Sequence, residues 1–253
     1  MSNQKKIVIF ADSDVGSEVT KFLNKDFYED IIHVVIISND SIIQEMCLEN
    51  NVDVSVYQSD KYHSFISNTN FDVGFLIWWP KIISEELINK AKFGFINTHP
   101  SFLPFSRGKH YNFWTLVEGT KFGVTLHYVN KGIDSGDIIY QRKIDYSWLD
   151  NGESLFNKAK NEMIDVFKEF YPLYRKDKLT VKKQNVKEGS YHNSSEMKKI
   201  SELDLDKSYK LKHILNLLRG RTFEGYQACF FNDKESQKSY YVRVSITEKP
   251  RAE

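Results

Sequence analysis

The sequence predicts an α/β protein: a mostly parallel sheet with helices, followed by a small α+β appendage that closes in a β-hairpin. Three observations carry that expectation. Short apolar runs recur at residues 6–10, 33–37, 72–78 and 94–97, each the length of a strand buried on both faces. Amphipathic stretches separate several of them, the alternation that builds a parallel sheet. After Arg175 the composition turns lysine-rich and polar, which divides the chain into residues 1–176 and a smaller part, 177–253.

Residues 6–10 (KIVIF) give the first strand, and the turn Ala11-Asp12-Ser13-Asp14-Val15-Gly16 leads into a helix. Val15, Val19, Phe22 and Leu23 share one face of it. This strand–turn–helix opening is Rossmann-like but lacks the GxGxxG fingerprint, so no dinucleotide site is expected. Residues 33–37 (HVVII) form a second strand, 42–48 a helix and 52–57 a third strand. The fourth strand, 72–78 (DVGFLIW), ends in Trp78-Trp79-Pro80-Lys81, at the carboxyl end where open α/β sheets bind ligands. Trp78 and Trp79 can wall a flat heteroaromatic ring, and either can equally be core. Ser84 caps a helix over 84–91, with Glu85 and Glu86 in its first turn.

Strand 94–97 follows, then a short helix over 109–118 with Trp114, Leu116 and Val117 facing inward. Residues 122–129 (FGVTLHYV) alternate as a strand and pair with 138–144 across a turn at Asp134. His127, in the middle of that strand, reads as structural. A long helix covers 153–174, with Leu155, Ala159, Met163, Val166 and Phe170 on one stripe and Pro172 in its last turns. Residues 177–188 read as a connector with a short strand at 179–181, and 191–195 as a polar loop. A helix over 207–219 ends at Gly220, and strands 226–231 and 239–246 close the chain around Asn232-Asp233-Lys234. The size and aromatic content of this tail suggest a homodimer contact.

Composition narrows the function. With 253 residues, 41% hydrophobic and 27% charged, the chain can bury one large core. A net charge of +1 argues against a bulk nucleic-acid binder. No apolar run approaches the roughly 20 residues that span a bilayer. The apolar run near the start breaks at Asp12, too early for a signal peptide. Cys47 and Cys229 match no metal or redox spacing, so a reducing, cytoplasmic location is expected. The 7 histidines show no HxH or i, i+4 spacing, so no metal is expected.

Polar and reactive side chains concentrate in residues 95–114 (FINTHPSFLPFSRGKHYNFW). Asn97 and His99, two apart in extended backbone, point to the same side and can converge on one small group. Pro100 and Pro104 stiffen the exit from the strand. Arg107-Gly108-Lys109 makes a basic corner before the next helix. A strand-to-helix loop with a structural histidine fits these facts as well.

The segment Asn97-Thr98-His99-Pro100-Ser101, with Leu103-Pro104 and Arg107-Gly108, resembles the hallmark of the folate-dependent formyltransferases. Their second mark, an aspartate in a glycine-rich turn between strands, is matched by Gly132-Ile133-Asp134-Ser135-Gly136-Asp137-Ile138. The two stand in the family's order, and the resemblance covers roughly residues 6–174. It implies Asn97, His99 and Asp134 as the catalytic set and N10-formyltetrahydrofolate as co-substrate, without a metal. Trp78, Trp79 and Pro80, with Asn130 and Asp134, would hold the pterin. Asp137 stands where many relatives have proline, and is expected to be structural or solvent-facing.

Formyl transfer makes three demands. A forming oxyanion needs a donor such as the Asn97 amide, worth roughly 3 kcal/mol. The attacking amine must lose a proton and the leaving nitrogen must gain one, tasks open to His99 and Asp134. The resemblance leaves open which of them takes the proton. The segment 203–223 resembles the sugar-nucleotide branch of the family, which implies a dTDP-linked amino-dideoxy sugar as acceptor. The 4-amino-4,6-dideoxyglucose isomer is favoured over the 3-amino one, for surface glycans of the O-antigen type. Lys81, Arg107 and Lys109 would face the acceptor's diphosphate, Ser101 would also bind the acceptor, and Trp114 and Tyr191 would stack the thymine. Two rivals remain. Methionyl-tRNA formylation is opposed by the near-neutral charge and small tail, and a non-catalytic sugar-nucleotide or folate binder by the complete catalytic set.

Overall fold

A computed structural model describes residues 4–38 and 40–250. Its first part alternates strand and helix: β1 (Ile7–Ala11), α1 (Ser13–Asp26), β2 (Ile31–Ile36), α2 (Ser41–Glu49), β3 (Val54–Val56), α3 (Asp60–Asn68), β4 (Val73–Ile77), α4 (Glu85–Lys90) and β5 (Phe95–His99). These five strands pair in parallel. Then come β6 (Arg107–Gly108), α5 (Tyr111–Glu118), β7 (Phe122–Tyr128), β8 (Ile138–Ile144) and α6 (Gly152–Arg175). β7 joins the far side of β5 in antiparallel register, giving the seven-stranded order β3-β2-β1-β4-β5-β7-β8.

The all-apolar runs explain why β1 and β4 lie centrally: every residue of both is buried. The chain leaves β1 to build one side of the sheet, then returns at β4 to build the other. That reversal places the crevice of an open α/β sheet at the strands' carboxyl ends. Gly74 permits the close pairing of β4 with β5, since a Cβ there would fall 2.1 Å from the Phe95 ring. β7 departs from its alternating pattern and is buried from Phe122 to His127, because it lies inside the sheet between β5 and β8.

The described chain divides into two compact units. One comprises the described residues up to His99, Val124–Arg142 and Lys160–Gln184; the other comprises Pro100–Gly123, Lys143–Ala159 and the described residues from Asn185 onward. In the first, Phe10, Tyr62, Trp79 and Phe95 anchor an aromatic core. In the second, β9 (Tyr191–His192), α7 (Ser194–Ile200), β10 (Glu202–Leu203), α8 (Leu211–Gly220), β11 (Cys229–Asp233) and β12 (Lys238–Val242) complete the fold. β11 and β12 form the expected closing hairpin, with β10 added in parallel. Phe113, Trp114, Leu217 and Cys229 form this unit's core.

Four expectations need correction. The helix expected over 207–219 begins at Leu211, after Asp204 has accepted the Asp206 N–H in a local turn. The strand expected at 179–181 is a single bridge between Lys182 and Ile138. The polar stretch after Tyr191 contains helix α7, held by a capping box between Asn193 and Glu196. Helix α3, also not anticipated, starts at Ser59, whose side chain accepts the Tyr62 N–H. Among the described residues no helix is long and apolar enough to cross a membrane.

Beside β2 and β3, His33 is 2% exposed, stacks on Phe65 at 3.9 Å and bonds Ser55 Oγ through Nε2 at 2.7 Å. Burial pushes its imidazole down to about 4. The unfolded ring binds a proton near 6.5, so the unfolded state holds more protons between those values, and stability must fall as pH drops through that window. The expected loss is about 2 kcal/mol between pH 7 and pH 5. Urea midpoints for wild type and His33→Gln at the two pH values check it, the variant losing less.

Candidate active site

The sheet delivers three polar side chains to one point in the first unit. Asn97 and His99 lie on β5, and Asp134 lies in the turn between β7 and β8. His99 Nδ1 stands 3.4 Å from Asp134 Oδ2, the two side chains 6% and 13% exposed. Asn97 Nδ2 donates to Asp134 Oδ1 at 3.3 Å. The i, i+2 spacing on β5 therefore does what extended geometry requires, and the turn supplies the carboxylate. An amide N–H, an imidazole and a carboxyl group are thus gathered within hydrogen-bonding reach.

A fourth group lies beside these three. His127, read as structural, lies directly opposite Asn97 in the β5–β7 register. Its Nε2 is 3.2 Å from Asn97 Nδ2 and 3.6 Å from Asp134 Oδ1. The alternation of FGVTLHYV was visible, but the pairing partner that brings His127 to Asn97 was not.

The turn itself is tightly built. Asp134 has φ 47, in the left-handed region where a short polar side chain is tolerated. Asn130 Oδ1 accepts from Gly132 N at 3.0 Å and Ser135 Oγ at 2.8 Å, so its carbonyl holds the turn rather than facing a ligand. Gln184 straps the turn: its Nε2 donates to Gly136 O at 2.6 Å, and its N–H to Asp137 Oδ1 at 3.2 Å. Asp137 is therefore structural and half-buried. At Gly136 a Cβ would sit 1.8 Å from Tyr128 O. Gly136→Ala must push the turn away from β7, and is expected to cost about 1–3 kcal/mol by thermal melting.

The segment after β4 separates its two tryptophans. Trp79 is 9% exposed and meets Phe10 and Tyr57 edge-on at 5.2 and 5.3 Å. Its ring belongs to the core and does not wall a ligand. Trp78, half-buried with φ 53, donates its N–H to Thr98 Oγ1 at 2.9 Å and stands at the carboxyl end of β4. Pro80 and Lys81 are exposed. No group of three or more His, Cys, Asp or Glu among the described residues is placed to hold a metal.

The profile of the formyl transferase family matches residues 6–169. The chain belongs to that family. A second profile, the N-formyltransferase dimerization C-terminal domain, matches residues 196–248. A dTDP-4-amino-4,6-dideoxyglucose formyltransferase of Mycobacterium bovis is 28% identical over 155 residues, 61% of this chain and 66% of that relative. The match thus spans just under two thirds of the curated relative's length. Among solved structures, a 4-N formyltransferase from Francisella tularensis superposes with TM-score 0.77 at 21% identity, covering 98% of this chain and 100% of the other. An N-formyltransferase from Helicobacter canadensis in complex with folinic acid and dTDP-3-aminofucose gives 0.70 at 18%, covering 91% and 85%. At these identities the likeness is one of fold.

The second unit of this formyltransferase-family chain holds the remaining candidates. Arg107 and Tyr191 are brought together by the parallel β6–β9 pair, the guanidinium carbon 5.8 Å from the ring centroid. Arg107 Nε is buried with no hydrogen-bond partner among the described residues. Tyr191 is 43% exposed, and Lys109 is exposed as well. Trp114 and Ser101 are corrected. Trp114 is 6% exposed in the unit's core, its face taken by the His192 ring at 3.6 Å, so it offers no stacking surface. Ser101 is buried and donates to Phe105 O at 2.8 Å, a turn-holding bond.

Proposed function

We propose that this chain moves a formyl group from N10-formyltetrahydrofolate to the amine of a dTDP-linked amino-dideoxy sugar, dTDP-4-amino-4,6-dideoxyglucose before its 3-amino isomer. The observation that carries the reading is the convergence of Asn97, His99 and Asp134, 3.3 and 3.4 Å apart, at the carboxyl end of a parallel sheet. The donor set fits an N-formyl group: an amide N–H, a titratable imidazole, and a carboxylate to balance the imidazolium. Support for the acceptor comes from the Mycobacterium bovis relative and from the dTDP-3-aminofucose of the Helicobacter canadensis structure. The folinic acid of the latter supports the folate donor.

When bound, the donor supplies a formyl carbon whose bond to N10 breaks as the bond to the sugar amine forms. Asn97 donates to the oxygen that gains negative charge. His99 takes the amine's proton and gives it to N10 as that nitrogen leaves, and Asp134, facing Nδ1, holds the ring's orientation and balances its charge while the proton is on it. Trp78 and Pro80 line the pterin side. Arg107, steadied over Tyr191, and Lys109 are proposed to meet the acceptor's diphosphate, and Lys81 is proposed separately as an acceptor-binding cation. The C-terminal segment is proposed to pair two copies, in keeping with the dimerization profile over 196–248. The protein is expected to work in the cytoplasm, where formylfolate and nucleotide sugars are available.

Incubating the protein with formyl donor and each of the 4-amino and 3-amino dTDP-sugars, and reading formamide by mass spectrometry, tests the proposal. The 4-amino sugar is expected to give product faster. Product from neither, or from charged initiator tRNA instead, would overturn the acceptor.

A further inference from the structure

The geometry points to His127 as the positioning residue that fixes which way the Asn97 amide faces, an inference that rests on the formyl-transfer reading. His127 Nδ1 lies 2.8 Å from Tyr128 O. A carbonyl only accepts, so Nδ1 carries the proton and the neutral ring presents a bare Nε2. That nitrogen can only accept, and the group 3.2 Å from it is Asn97 Nδ2. The second hydrogen of Nδ2 is directed to Asp134 Oδ1 at 3.3 Å. Two acceptors thus hold one NH2 group before substrates bind, and the planar amide has a single satisfied orientation; with the formyl donor in place, the hydrogen on Asp134 Oδ1 is the one that shifts to the formyl oxygen, while His127 keeps the other. At 2% exposure for His127, water does not stand in for the imidazole nitrogen.

A proton on Nε2 reverses this. The imidazolium has no lone pair for Asn97 and repels its Nδ2. It turns to Asp134 Oδ1, 3.6 Å away, and so competes with His99, which holds Oδ2 at 3.4 Å. The titratable groups facing His127 are His99 from β5, ring centroids 6.3 Å apart, and Asp134 from the turn. Tyr128 contributes only its backbone carbonyl to the ring. One proton at His127 therefore disturbs both Asn97 and the His99–Asp134 pair. His127 acts through these residues and need not touch either substrate.

Two variants separate this role from packing. Gln at 127 keeps an acceptor oxygen and does not titrate; Leu keeps bulk and removes the acceptor. His127→Leu is expected to lower kcat roughly 10- to 100-fold with KM for both substrates within about twofold. His127→Gln is expected to recover to within about threefold of wild type. Imidazole nitrogen NMR of the protein alone should show His127 protonated at Nδ1 and bare at Nε2 near pH 8.

A proton on Nε2 instead, equal impairment of two variants that melt normally, or wild-type kcat in His127→Leu would each overturn the role. If wild type formylates no amino-sugar nucleotide, the functional reading fails, and the tautomer measurement still tests His127 by itself.

Discussion

His99→Ala is expected to lower formyl transfer roughly 10³-fold while leaving dTDP-sugar affinity within about threefold. The ring is 5% exposed and its Nδ1 is turned to Asp134, so no solvent base reaches the same point once the imidazole is gone. Asn97→Ala removes the donor aimed at the developing oxyanion and should cost about 3–4 kcal/mol in the transition state. The two losses should not multiply. Asn97 and His99 share Asp134 at 3.3 and 3.4 Å, and groups that work as one unit fail as one. Single-turnover rates of both variants and the double variant, beside dTDP binding by calorimetry, check all of this. Activity equal to wild type in the variants would mean that the chemistry happens elsewhere or that the protein only binds.

How much of this was legible in the sequence depends on whether the signal was local. β1 and β4 could be read because every residue in them is apolar and buried, and the Asn97–His99 pair because i, i+2 geometry is intrinsic to a strand. The glycine-rich turn around Asp134 was readable as a motif, although its reasons lie in space: Gly136 presses on Tyr128 O and Asn130 closes the turn. Trp78 and Trp79 are adjacent and identical in type. Only the left-handed backbone at Trp78 and the rings around Trp79 tell them apart. Trp114 was misassigned for the same reason, since its stacking partner His192 lies far along the chain. His127 needed the β5–β7 register. By contrast the capping box of α7 is local, Asn193 followed three residues later by Glu196, and marks the start of that helix in the sequence itself.

Asp30→Ala is expected to destabilise the fold by about 3 kcal/mol, and Arg175→Leu by about 5 kcal/mol. Asp30 is 0% exposed at the edge of β2 and receives Tyr171 Oη at 2.7 Å. It also faces Arg175 Nε at 2.8 Å and accepts from Nη2 at 3.1 Å, which ties the last turn of α6 to the sheet. The order of the two losses follows from what each leaves behind. Without Asp30, the Arg175 side chain is already 24% exposed and can turn to water. Without Arg175, a carboxylate stays buried with no charge to balance it, left to the Tyr171 hydroxyl and a long bond from the Lys5 N–H at 3.4 Å, which is the costlier state. The Lys61–Asp53 pair is the control. At 2.9 Å it is nearly as short, yet its side chains are 55% and 71% exposed, and Lys61→Ala should cost about 0.5 kcal/mol or less. Urea unfolding of the three variants decides the matter. If Lys61→Ala costs as much as Asp30→Ala, ion-pair length rather than burial governs stability here, and α6 is not pinned in the way described.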